Sequence, residues 1–258
     1  MASELKYLPQ LVVEQDGTVS GKFLHGLSKA NARDGSFLWN VRMGNGRFFS
    51  IEAAGKFDPS LSKTHRSMND IPIEQLRADE HFCEDNFDGH IFSQRFARWV
   101  WPAGIYQNKG LSSSDGESAW RRIIETSDRE LEFERLRRQF APSVPSRLSC
   151  VYLAHGTDAG RAAIHAMLYQ PEIFEVRIEC CLAACVVDSA WYDLYLNNPK
   201  LEYIENYWRL MAHPTESRPE ILIDGVFHLS NRVQLVQLGV NTGDSDQNRT
   251  NSNGSQAG

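Results

Sequence analysis

A glutamate opens an apolar run near the C-terminal end of the sequence, Pro219-Glu220-Ile-Leu-Ile-Asp224. An acid at the head of such a run is either a solvated group at a strand edge or a carboxylate aimed at a pocket. Upstream, Pro145-Ser-Arg-Leu-Ser-Cys-Val-Tyr-Leu-Ala154 alternates the polar Arg147 and Ser149 with apolar neighbours. A strand of that pattern lines a cleft with one face and packs with the other. Arg147 also has a plainer reading, as the partner of a helix carboxylate. Between these stretches, Glu202–Trp208 (EYIENYW) sets acids and aromatics on a loop or short helix.

Several other chemistries lack their residues. HGTDAG at 155–160 does not have the GxGxxG spacing of a dinucleotide fingerprint, and no GxxxxGK[ST], HExxH or GxSxG is present. The histidines at 25, 65, 81, 90, 155, 165, 213 and 228 are scattered and read as surface or satisfied residues. Cys83, Cys150, Cys180, Cys181 and Cys185 show no repeated CxxC spacing. Cys180 and Cys181 sit in the apolar run EVRIECCLAACVV and read as small buried hydrophobes in a reducing compartment. No metal ligands are assigned. Arg121, Arg122, Arg135, Arg137 and Arg138 alternate with Glu125, Glu130, Glu132 and Glu134, the pattern of a solvated helix face with i,i+4 pairs.

The elements that must position these groups follow from patterning. LVVEQDGTVSGKFL reads as two short strands about Asp16-Gly17, and Asn45-Gly46 marks a second hairpin with Val41, Phe48, Phe49 and Ile51 as core candidates. A short helix is expected near 72–77. Residues 91–101, IFSQRFARWVW, read as a strand or short amphipathic segment broken by Pro102 and Gly104. Ser114 opens a helix by capping-box spacing, and Ser127-Asp-Arg-Glu130 repeats that spacing, so one helix or two run to Phe140. Strands are expected at 147–154, 173–187, 220–230 (broken at Asp224-Gly225) and 232–240. Thr157 caps a helix to about Tyr169, and Asp188 caps a short helix, SAWYDLYLN. The fold class is α+β, as one β-rich subdomain over 1–90 and a second domain over 91–240.

Composition sets outer bounds. The 258 residues suffice for one large domain or two small ones, with 41% hydrophobic and 23% charged. A net charge of −6 gives no global drive towards nucleic acid. No run approaches the roughly 20 apolar residues of a membrane span, and the first residues lack the pattern of a secretory signal, so a soluble cytoplasmic protein is expected. The tail 241–258, NTGDSDQNRTNSNGSQAG, carries almost nothing apolar and reads as disordered.

The stretch GESAWRRIIETSDRELEFERLRRQFAPSVPSRLSCVYLAHGTDAGRA, with the later YIENYW and PEILIDG, resembles an uncharacterised bacterial family, DUF2441, of the ADP-ribosyltransferase superfamily. The motif order also resembles the DarT-type transferases. The resemblance covers roughly residues 91–240 and leaves the first ninety unexplained. It implies a split β-sheet core with flanking helices and an NAD-binding cleft between two small sheets. Glu220 matches the catalytic glutamate. Ser149, and with it Tyr152, matches the strand beside the nicotinamide, while Arg147 lies on that strand among the cofactor-binding candidates. Tyr207 or Trp208 matches a ring stacking on cofactor or substrate. The first-strand anchor is Arg98, with Arg95 as an alternative and His25 of FLHGLS as a third. The implied chemistry is mono-ADP-ribosyl transfer from NAD+ to a nucleic acid or protein, in a toxin, effector or phage-defence setting. An antitoxin or regulator is a possible partner, and no membrane is implied. An NAD+ glycohydrolase and a non-catalytic binding module are the alternatives on the same scaffold.

Overall fold

A computed structural model describes residues 6–28, 37, 41–42, 44–57, 66–77, 95–109 and 117–240. Cys83, the Ser114 capping box and the tail lie outside the described residues. The chain builds five strands: β1 (Phe23–Ser28), β2 (Arg47–Phe49), β3 (Val151–His155), β4 (Pro171–Asp188) and β5 (Pro219–Leu229). The helices are α1 (Ile51–Phe57), α2 (Trp101–Lys109), α3 (Glu117–Phe140), α4 (Asp158–Met167), α5 (Ser189–Asn197), α6 (Leu201–Trp208) and α7 (Arg232–Gln237). This is an α+β fold. Among the described residues no helix is long and apolar enough to cross a membrane.

The strands form one antiparallel sheet in the order β2-β5-β3-β1-β4, and β4 also pairs with β5, closing the sheet on itself. β1 lies between β3 and β4, so the sheet spans the expected boundary near residue 90. One face carries a core that includes Phe23, Leu27, Phe48, Ile221, Ile223 and Phe227. The other packs on α3, α5 and α6 through Leu222, Cys185, Val187, Phe133, Tyr207 and Trp208. The period-2 pleat therefore puts Glu220, Leu222 and Asp224 on the helix-covered face.

Within the sheet, β1 and β3 separate. They pair only at Phe23 with His155 and Leu24 with Ala154. Beyond that point β1 continues along β4 to Ser28, while β3 continues along β5 from Leu153 to Val151. The imidazole of His25 lies in the opening, its Nδ1 2.8 Å from the Tyr152 carbonyl oxygen and its ring packed against those of Phe37 and Phe48, which also touch each other.

Several expected elements are corrected. Residues 147–150 form turns instead of the start of a strand, because the Ser146 carbonyl accepts the amides of Ser149 and Cys150 and its Oγ accepts that of Leu148. Arg147 and Ser149 therefore do not alternate along a strand. β5 is not broken at Asp224-Gly225. A Cβ on Gly225 would meet the Cys180 carbonyl oxygen at 2.2 Å, so the glycine admits the irregular stretch of β4 without leaving the ladder. Residues 232–237 are helical because the Asn231 side chain caps the amides of Val233 and Gln234. Phe96–Val100 is a π-helical turn leading into α2, and the helix runs through Pro102 and Gly104. Proline has no amide to satisfy where the turn widens. A Cβ on Gly104 would meet the Arg77 carbonyl oxygen at 1.9 Å, so this glycine is a close contact and not a break. Asn45-Gly46 does turn the chain, with φ of 52° and 93°, but β2 pairs with β5 and, among the described residues, makes no hairpin. α3 is continuous, and Ser127 is buried inside it.

Candidate functional site

The polar site starts on β5. Glu220 pairs with Val187 of β4 one residue into the strand and is buried. The loop feeding it is tied down by Asp188, whose carboxylate accepts the amides of Ala190, His213 and Arg218 and the Ser217 hydroxyl at 2.5–3.0 Å. One fully buried side chain thus fixes the end of β4, the start of α5 and the approach to Glu220.

Glu220 Oε1 accepts two hydrogen bonds, from Arg147 Nη1 at 2.9 Å and from the Tyr207 hydroxyl at 2.7 Å. Arg147 Nη1 also bonds the Tyr207 hydroxyl. Among the described residues Oε2 accepts none. Arg147 Nε turns to Glu130 Oε2 at 3.2 Å, while Glu130 Oε1 accepts from Arg95 Nη1 at 2.5 Å and from the Tyr192 hydroxyl at 2.8 Å. The chain Arg95–Glu130–Arg147–Glu220 thus alternates in charge. Burial opposes ionisation of Glu130, but Arg147 and Arg95 outweigh it and hold the carboxyl down at about 2. Arg147 stays protonated for the same reason. Burial acts against its charge, and Glu130 and the surrounding tyrosines and Glu220 raise its pKa well above the usual range. Its guanidinium carbon stands 4.3 Å from the Tyr192 ring centroid and 5.0 Å from that of Tyr207. The remaining nitrogen, Nη2, is buried and has no hydrogen-bond partner among the described residues.

These groups line a cavity of about 600 Å³. Its deep end holds Arg147, Glu220, Tyr152 and Tyr192, with Arg95 a quarter exposed. Arg122, Arg129 and Arg218 line its more exposed part, and Leu24, Ala154, Ile164 and Leu168 form an apolar arm beneath α4. The cavity lies where β1 and β3 separate, and His25 and Gly26 of β1 also line it. Burial lowers His25 to about 4, so its imidazole is neutral at pH 7.

The expected site residues are placed as follows. Glu220, Arg147 and Tyr152 share the cavity, with Arg95 and His25 of the three anchor alternatives. Arg98 lies on the π-helical turn, and its side chain is outside the described residues. Ser149 is buried but is not among the cavity's lining. Its Oγ has no partner among the described residues, and its carbonyl accepts the Ile51 amide. Tyr207 touches the site through its hydroxyl, while its ring packs edge-on to Phe133 and Trp208. Trp208 is buried and donates to the Phe133 carbonyl. Neither ring is offered to the cavity. Glu130 and Tyr192 are not among the expected site residues, and Glu130, read from the sequence as part of a solvated helix face, is fully buried. Their signal was weak: Glu130 stands one turn from Glu134 and in the same helical stripe as the buried Ser127 and Arg137.

The family described as protein of unknown function (DUF2441) matches residues 106–234, half of the 258-residue chain. The match covers α3 and β3 through β5, hence Glu130, Arg147, Tyr192, Tyr207 and Glu220. No curated protein matches the chain.

Proposed function

The chain belongs to the DUF2441 family, whose description assigns no activity, and from its cavity we propose that it is a mono-ADP-ribosyltransferase using NAD+. The observation that carries this reading is the Glu220 carboxylate, fixed through Oε1 by Arg147 and Tyr207 while Oε2 is left for a ligand. In the reaction the bond between ribose C1′ and the nicotinamide nitrogen breaks, and its electron pair leaves with nicotinamide. Positive charge builds on the ribose, and Glu220 stabilises it and accepts a hydrogen bond from a ribose hydroxyl. The acceptor's nucleophile then bonds to C1′ and gives up its proton. The acceptor is a macromolecule, nucleic acid or protein. Arginines along the more exposed part of the cavity suit the pyrophosphate, and a volume of about 600 Å³ lies within the range of cofactor sites.

The test is nicotinamide release from NAD+ by the full chain. Glu220→Gln keeps the shape and an acceptor oxygen but removes the charge, and release is expected to fall at least about a hundredfold with the far-ultraviolet spectrum unchanged. Equal release by both proteins, or none by either, rejects the transferase. Label recovered free in solution instead of on an acceptor identifies the glycohydrolase alternative.

A second reading is supported by one feature. Arg147 already neutralises Glu220 directly, as expected of a module that binds a nucleotide without cleaving it. Calorimetry showing NAD+ binding without nicotinamide release selects it.

A further inference from the structure

Pro219 holds the residue before it in extended backbone, and that residue is Arg218. Hydrogen bonds fix the same backbone further. The Arg218 amide donates to Asp188 Oδ1 at 2.8 Å, and its carbonyl accepts from the amide and the hydroxyl of Ser189, both at 3.0 Å. The side chain stays open to solvent. It is 44% exposed, and its Nη2 reaches Asp193 Oδ2 at 2.7 Å, on an acid that is equally exposed. Both residues line the cavity. An exposed pair of this kind contributes little to stability, so the guanidinium is available to an anion that competes with Asp193.

Arg218 and Glu220 stand two residues apart on extended chain, and both line the cavity. The period of 2 sets them on one face, roughly 6–7 Å apart along the chain. A cation at the exposed part and a carboxylate at the deep end are thus carried in order by one short segment with a fixed backbone. A ribose bearing a 5′-phosphate has the matching order, with ring hydroxyls for the carboxylate and a dianion a few bonds away for the guanidinium. Arg147 is unsuited to that anion, because it is 1% exposed and its bonds go to Glu130, Glu220 and Tyr207. We propose that Arg218 anchors the 5′-phosphate of the ribose held at Glu220, with Asp193 as the counter-ion that the phosphate displaces. This rests on the NAD+ reading and deepens it: of the two phosphates of the dinucleotide, Arg218 takes the one on the reacting ribose. Arg218 is then a specificity-determining residue that requires a phosphorylated ribose, distinct from the charge-stabilising Glu220.

Calorimetry on the full chain with nicotinamide mononucleotide and nicotinamide riboside, which differ by one phosphate, tests this. The mononucleotide is expected to bind the wild type about tenfold tighter, the worth of one hydrogen bond to a charged donor. In Arg218→Gln the ratio is expected to collapse to within twofold, and in Asp193→Asn to rise two- to threefold as the competing carboxylate is removed. Both changes lie at exposed side chains, so folding is expected to survive them. Equal binding of the two ligands by the wild type, binding of neither, or a ratio unchanged in Arg218→Gln overturns the proposal. A single-stranded oligonucleotide is titrated as a third arm. If Arg218→Gln weakens the oligonucleotide about tenfold and leaves the ratio unchanged, the guanidinium serves an acceptor's phosphates and the proposal falls. Nicotinamide release from NAD+ is measured alongside, and Arg218→Gln is expected to raise KM about tenfold with kcat within twofold. A phosphate preference that depends on Arg218 without any release upholds the anchor and rejects the transferase. Release without that preference does the reverse.

Discussion

Two acids on the same face of β5 are treated in opposite ways. Glu220 receives a guanidinium and a phenol on one oxygen. Asp224, four residues on, has an unpartnered Oδ1 and no facing cation at hydrogen-bond range among the described residues. Burial, with Glu52 nearby, pushes its carboxyl up to about 8, against the pull of the Ser50 hydroxyl and the more distant Arg137. Its pKa in the fold is thus above the ordinary 3.8. The fold favours the protonated acid, so its contribution is full below pH 3.8 and is lost as pH rises towards 8. Stability is expected to fall across that window by up to about 1.4 kcal/mol per pH unit from this group. Asp224→Asn should flatten the profile, gaining on the wild type most at pH 9 and least at pH 5. Urea denaturation at these pH values checks it, and parallel profiles for the two proteins reject the assignment. Tyr207→Phe tests the other acid. It removes one of two bonds to Glu220, and a loss of about 1 kcal/mol in stability is expected, with a several-fold drop in nicotinamide release because Arg147 still holds the carboxylate.

At the scale of elements, α3 explains why the site was only partly legible. Its acids and arginines alternate as they do on solvated helices, yet Glu130, Glu134 and Arg137 are fully or almost fully buried. Glu134 accepts from Arg137, Arg138 and Ser146, and Arg137 donates to the carbonyls of Pro142 and Val144. Local spacing is the same for an exposed ion-pair ladder and for a buried one. The partners that decide, such as Arg95, Arg147 and Ser146, come from far along the chain or from the turn beyond the helix. Capping chemistry is local, so Thr157 and Asp188 were readable as helix starts. The helix at 232–237 is harder to read, because its valines favour a strand by residue type even though the adjacent Leu235 and Val236 break strict alternation, and the Asn231 cap is what decides. Glu220 was legible because an acid heading an apolar run is unusual in itself. The buried ladder leads to a prediction for Glu130→Gln. It leaves Arg95 and Arg147 short of a counter-charge, and a loss of about 3–5 kcal/mol is expected from removing one partner of a buried pair. Glu130 at about 2 in the fold lies below its ordinary 4.5, so its contribution is full above pH 4.5 and is lost as pH falls through 2. The variant should be less stable at pH 7, with the gap narrowing in acid. A constant gap from pH 7 to pH 3 counts against this account.

On the scale of the whole molecule, the cavity is a consequence of how the sheet closes. β4 and β5 pair along most of their length, while β1 and β3 share only two residue pairs before diverging. The polar groups reach the resulting opening from separate parts of the chain: Arg95 before α2, Glu130 in α3, Arg147 ahead of β3, Tyr192 in α5 and Glu220 in β5. Anything that bridges them should stabilise the fold as a unit, because a ligand that binds only the folded state adds RT ln(1 + [L]/Kd). At a hundredfold excess over Kd, NAD+ is expected to add about 2.7 kcal/mol, or roughly 5–10 °C in Tm for a chain of this size. Asp188 separates binding from assembly. Its carboxylate holds four donors that connect β4, α5 and the 213–218 loop, but it is not among the cavity's lining residues. Asp188→Ala is expected to lower Tm in the absence of ligand through the loss of those bonds, about 3–5 kcal/mol. The increment from NAD+ should shrink with it, because the loop that sets Glu220 is then loose. A variant that loses stability yet keeps the full NAD+ increment would show that Glu220 is positioned by the β4–β5 ladder alone.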